Sequence, residues 1–134
     1  MNRKFPDTRL RRLRSNPSLL KITAENSLTV DDLIQPIFIK EGIKKAEAID
    51  SMPNVNRYSK DSVVDYCKNL LDLGIKAVAL FPVIDPKKKD LEGIEALNRK
   101  NLICESVESI KKKIPDLVII VDVALDPYTL HGHD

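Results

Sequence analysis

The chain has 134 residues, is 43% hydrophobic and 31% charged, and carries a formal net charge of +2. That length can bury roughly two-thirds of its unfolded surface, enough for one domain with a core, and the composition excludes fibrous and disordered classes. No segment approaches the roughly 18 uninterrupted apolar residues of a membrane span, and the N-terminus lacks a secretory apolar stretch, so the expectation is a cytoplasmic protein with no membrane partner.

Residues 1–14 hold six basic groups (Arg3, Lys4, Arg9, Arg11, Arg12 and Arg14) against the single acid Asp7, which leaves the remainder of the chain at −3. Residues 1–30 therefore read as a basic arm on a mildly acidic body, 31–134. No aromatic residues interleave with the arginines and no nucleic-acid motif follows, so docking on a partner subunit is expected and nucleic-acid binding is not. The first strand is expected at 34–39, where β-branched residues are frequent, with Pro36 marking a strand start, an edge or a bulge. "SMPNVNRYS" reads as a loop, with Ser59 as N-cap of a helix over 60–73 that Gly74 stops. Val63, Val64, Cys67, Leu70 and Leu71 recur there at helical spacing.

"IKAVALFPV" is nearly all apolar, as expected of a strand covered on both faces. The lysine run in "IDPKKKDLEG" reads as a solvated face. Ile103, Val107, Ile110 and Ile114 then predict a helix with Lys111 to Lys113 at its C-terminus, where cations are favoured, and Pro115 ends it. Cys67 and Cys104, the only cysteines, sit in no redox or zinc spacing and are both expected to be buried, reduced thiols. "LVIIVDVAL" is the third strand. The order arm, β, α, β, α, β implies an α/β fold with a parallel sheet and right-handed crossovers. A closed eight-stranded barrel takes about 250 residues, so three strands and two helices correspond to about the first half of one.

The third strand runs into "DVALDPYTLHGHD". Asp122, Ala124 and Asp126 would share a face if the strand continued that far. In parallel α/β proteins reactive groups gather at the carboxyl ends of strands, which is where this series lies. Two carboxylates there could hold a cation, raise one another's pKa or orient a substrate ammonium; alternatively Asp126-Pro127 is a turn and Asp122 caps backbone amides. His131 and His133 have a spacing that metal ligands use, although Gly132 favours a loop.

Together "RLRRLR", "DLIQPIFIKEG", "SMPNVNRYS", "ALFPVI", "KDLEGIEALNRKNL" and "VDVALDPYTLHGHD" resemble the 5-aminolevulinate dehydratase (porphobilinogen synthase) family over nearly the whole chain. The resemblance implies the N-terminal half of a TIM-barrel lyase that condenses two 5-aminolevulinate molecules to porphobilinogen in haem biosynthesis, with an arm that embraces a neighbouring subunit in a homo-octamer. Zinc-dependent members carry three cysteines at positions matching Ala124, Asp126 and Asp134. Their absence implies the aspartate-rich class, with no metal or cofactor in the active site, magnesium at a separate site in some members, and Asp122, Asp126 and Asp134 lining the substrate pocket. Asn54 replaces the family's glycine after Pro53, and asparagine tolerates the left-handed backbone such a turn needs. The family's two Schiff-base lysines lie past residue 134. Lys40 is the one lysine near the expected mouth, in an exposed setting unsuited to a neutral amine. The chain is thus expected to be an inactive fragment by itself. The alternatives are an interaction module docking on full-length subunits and, from the histidines alone, a metal-dependent hydrolase.

Overall fold

The computed structural model describes residues 4–43 and 46–133. The described part of the arm contains a 3-10 turn at Arg12–Arg14 and a short α-helix, α1 (Pro17–Ile22), capped by the Asn16 side chain, which accepts from the Leu19 N–H at 2.9 Å. Five strands follow: β1 (Ile34–Lys40), β2 (Ala46–Ile49), β3 (Met52–Ser59), β4 (Ala77–Val83) and β5 (Val118–Val121). Two longer helices, α2 (Ser62–Asp72) and α3 (Leu102–Lys113), connect β3 to β4 and β4 to β5. The sheet order is β2-β3-β1-β4-β5. All neighbours are parallel except β2, which runs antiparallel to β3. The expected parallel sequence of three strands and two crossover helices is therefore present as β1, β4 and β5 with α2 and α3. Among the described residues no helix is long and apolar enough to cross a membrane.

Alternation along the strands gives the sheet two unlike faces. Ile37 and Ile39 of β1 and Val78 and Leu80 of β4 are buried, in one cluster with Val63, Cys67 and Leu70 of α2 and Leu102, Ile103 and Ile110 of α3. On the opposite face, Ile34 and Pro36 of β1, Phe81 and Val83 of β4, and Val118 and Ile120 of β5 are exposed. Both long helices serve one face only. An all-parallel sheet ordinarily has both faces covered, and the inner wall of a barrel is the setting in which this one would be.

Helix ends follow local chemistry. Asn101 caps α3 by accepting from the Cys104 N–H at 2.9 Å. At the other end Lys111 donates to the carbonyls of Pro115 and Leu117 at 3.0 and 2.7 Å, so the lysine-rich last turn ties down the connection that leads from α3 into β5.

Four expectations are corrected. "SMPNVNRYS" is strand β3 rather than a loop, held by pairing with β1 and β2 and by the stacking of Tyr58 on Tyr66 of α2, ring centroids 4.4 Å apart. Asn54 within it has φ +64°, the left-handed backbone expected of that position. Ser59 is the last residue of β3, with Asp61 as the N-cap; the Ser59 hydroxyl donates to the Asp61 carboxylate at 2.6 Å. The last strand stops at Val121, because the chain beyond it bends into a turn at Leu125–Tyr128, so alternation does not carry Asp122 and Asp126 onto a common strand face.

The fourth correction is Cys104, which is exposed on α3, whereas Cys67 is buried. Position 104 lies on the flank of the stripe set by Ile103, Val107, Ile110 and Ile114 rather than within it. Burial pushes the Cys67 thiol up to about 11. A thiol reagent at pH 8 should therefore label one cysteine per chain quickly, and C104S should abolish that phase. Labelling of Cys67 should await unfolding. The neutral Cys67 thiol is favoured by the fold, so its contribution to stability is whole below the ordinary thiol range near 9 and is lost as the pH rises through about 11. Urea melts of the wild type and C67A between pH 8 and 11 should converge at the alkaline end.

Candidate active site at the carboxyl end of the sheet

Parallel strands bring their carboxyl ends to one edge of the sheet. That edge carries Lys40 at the end of β1, Val83 at the end of β4 and Asp122 directly after β5. Asp122 is exposed and borders a cavity of about 430 Å³ formed with Ala96, Asn101, Cys104, Leu125 and Tyr128, among others. Asn101 and Cys104 arrive from the start of α3, and Leu125 and Tyr128 from the turn beyond Asp122. The cavity thus joins two βα connections.

Asp126 is brought to the same end but does not line this cavity. It sits in the turn, where its carbonyl accepts from the Thr129 hydroxyl at 3.3 Å. Asp134 lies outside the described residues. His131 and His133 stack with ring centroids 6.1 Å apart; one ring nitrogen of His131 lies 3.3 Å from the Leu91 carbonyl, and the other accepts from the His133 N–H at 3.2 Å. Those contacts employ the pair as loop structure. Among the described residues no three His, Cys, Asp or Glu side chains converge as a metal-holding group.

Several polar residues at this edge were not singled out from the sequence. Asp90 accepts from the N–H groups of Glu92 at 2.8 Å and Ile94 at 3.2 Å, and the backbone bond from Ile94 chiefly holds its carboxyl below the usual range. Its own backbone pairs in parallel with Thr129: the Asp90 N–H donates to the Tyr128 carbonyl and its carbonyl accepts from Leu130. The connection after β4 is thereby tied to the connection after β5, which fixes the cavity wall. Tyr128 is buried in that wall, and burial, with smaller contributions from Cys104 and Glu95, raises its phenol above its ordinary value. It is neutral at physiological pH and can donate. "KDLEG", an aspartate two residues before an N–H it could accept and three before a glycine, was the one available hint of the Asp90 turn.

Lys40 forms an ion pair with Glu47 of β2, which Arg57 of β3 also reaches at 3.3 Å. The hydrogen bond from Lys40 chiefly lowers the Glu47 carboxyl. The ion pair commits the Lys40 side chain to the β2–β3 hairpin.

These features define a class: a partial parallel β/α barrel of the kind that carries an enzyme site on its βα connections, here rich in carboxylates. The family model described as delta-aminolevulinic acid dehydratase matches residues 7–134. The chain belongs to that family. It is 47% identical over 126 residues to the delta-aminolevulinic acid dehydratase of Bradyrhizobium diazoefficiens, covering 94% of this chain and 36% of that protein. The corresponding protein of Methanothermus sociabilis is 46% identical over 130 residues, with 97% of this chain and 40% of the relative covered. The crystal structure of the Toxoplasma gondii enzyme in complex with its reaction product porphobilinogen superposes with a TM-score of 0.87 at 33% identity, covering 95% of this chain and 36% of that one. The chain thus spans well under half the length of these relatives, and what it matches is their N-terminal strands and helices.

Proposed function

We propose that this chain supplies the N-terminal strands and the acid-bearing connection of an enzyme that condenses two 5-aminolevulinate molecules to porphobilinogen. The observation that carries this reading is the family match over 7–134 together with the position of Asp122, immediately past β5 at the carboxyl edge of a parallel sheet. Its carboxylate would hold the substrate ammonium through a charge-assisted hydrogen bond, with Asp126 and Asp134 adding negative charge nearby. The amine nucleophiles that attack the substrate carbonyls would come from the part of the barrel that this chain does not contain. A magnesium ion, where the full-length enzyme uses one, would be held by residues other than those described.

The arm supports assembly. Phe5, Leu10, Leu13, Leu20, Ile22 and Leu28 are all exposed in it, more apolar surface than a free segment gains from showing to water. We infer that it docks on a neighbouring subunit, as in a homo-octamer. Two free cysteines accord with a reducing, cytoplasmic setting.

A second reading, a module that binds other subunits without catalysis, is favoured by the uncovered face of the sheet. One experiment separates the two. A chimera in which residues 7–134 replace the matched stretch of the Bradyrhizobium diazoefficiens relative should form porphobilinogen, and the 134-residue chain alone should not. Turnover by the chain alone, or a folded chimera without activity, would overturn the first reading.

A further inference from the structure

The acid-bearing segment stands on two feet, and both rest on β4 and the connection that leaves it. At one end Val121, the last residue of β5, pairs with Leu80 of β4. At the other Thr129 pairs in parallel with Asp90. Asp122 and Asp126 lie on the span between.

The second foot is held from several directions. The Asp90 N–H donates to the Tyr128 carbonyl at 3.3 Å, and the Leu130 N–H donates to the Asp90 carbonyl at 2.8 Å. One ring nitrogen of His131 lies 3.3 Å from the Leu91 carbonyl. Gly93, buried at φ +67°, packs against the same segment: a Cβ there would lie 3.5 Å from the Thr129 methyl group and 3.6 Å from Cβ of Tyr128. Thr129 is itself buried, and its hydroxyl reaches the Asp126 and His133 carbonyls at 3.3 and 3.1 Å.

One side chain shapes the turn that makes these contacts. The Asp90 carboxylate accepts from the N–H groups of Glu92 at 2.8 Å and Ile94 at 3.2 Å, which closes residues 90–94 so that their backbone faces the segment. Asp90 does not border the cavity beside Asp122, so its influence runs through the segment. Every contact named lies between residues 80 and 133, and none waits on the part of the barrel that this chain lacks.

We propose that Asp90 is a positioning residue: its carboxylate, as a hydrogen-bond acceptor, sets the second foot and with it where Asp122 and Asp126 stand. The inference rests on the catalytic reading of Asp122. Misplacing a reacting group by about 1 Å can cost 10²-fold in rate, so a tether of this kind has something to protect.

Steady-state assays of the chimera and amide hydrogen exchange of the 134-residue chain test it together. D90A should lower kcat/KM by about tenfold or more, and D90N, which keeps an acceptor oxygen, should recover most of the loss. Added to D122N, D90A should cost less than about threefold, because a residue that acts through Asp122 then has little left to lose. N98A removes a similar turn bond, to the Lys100 N–H at 3.0 Å, away from the segment, and should not lower the rate. In the 134-residue chain D90A should speed exchange over residues 122–130 about tenfold while α2 keeps its protection. Should D90A fail to fold, D90S, whose hydroxyl holds such turns more weakly, takes its place in every arm. An unaffected D90A, a D90N as slow as D90A, losses that multiply in the double variant, or unchanged exchange over 122–130 would each overturn the proposal. A folded parent chimera without turnover would sink the catalytic reading instead, and exchange would then decide whether Asp90 holds the segment.

Discussion

D122N in the chimera should lower porphobilinogen formation by about two orders of magnitude while leaving the melting temperature within a degree or two, since positioned proton-transfer and charge-holding groups typically contribute 10²-fold or more. The substitution keeps the side chain's size and removes its charge. Asp122 is exposed and immediately follows β5, so no buried contact is lost. D126N should have the smaller effect, because Asp126 lies in the turn after the cavity and does not line it. Steady-state assays of both variants beside the parent chimera would decide. Equal losses would mean that the two carboxylates act as one group; an unaffected D122N would remove Asp122 from the chemistry.

The second large effect concerns stability and separates neighbours on one strand. L80A in the isolated chain should cost about 2–5 kcal/mol, the range for deleting a buried leucine side chain and leaving a cavity. Leu80 is packed among α2 and α3 within the core. That loss is a large share of the 5–15 kcal/mol by which domains are usually stable, so a marked drop in the urea midpoint is expected. F81A, one residue on, removes a larger ring but from the bare face, where Phe81 meets Phe38 at a centroid distance of 6.0 Å. Measured at concentrations where the chain is monomeric, its cost should be well under half that of L80A. The reverse order would mean that the two faces of β4 have been exchanged.

What could be read from the amino acids divides along physical lines. β1, β4 and β5 were legible because each is a mostly apolar run bounded by turn formers, and α2 and α3 because their apolar stripes repeat at helical spacing. The hairpin was not: Pro53 and Asn54 are turn residues by local preference, and what makes 52–59 a strand is distant. Arg57 meets Glu47 across the hairpin, and Tyr58 rests on Tyr66 of α2. The true end of β5 was hidden for the same reason, because the bend after Val121 is stabilised by the bridge from Thr129 to Asp90, which is far off in sequence and invisible to a local pattern. At the candidate site, the strand-end rule put Asp122 at the carboxyl edge of the sheet, where it stands directly after β5. The cavity wall of Asn101, Cys104 and Tyr128 required knowing which two connections lie side by side.

The pairing of β1 with β4 has a consequence for synthesis. Ile34 meets Ala77 and Lys40 meets Val83, so the strand made first has no parallel neighbour of full length until α2 and β4 have been translated. A nascent chain emerging from the ribosome would therefore carry Ile37 and Ile39 unshielded for several seconds at ordinary elongation rates of about 5–20 residues per second. The β2–β3 hairpin, which needs only nearby residues and reaches Phe38–Lys40 earlier, is available as a temporary guard during that interval.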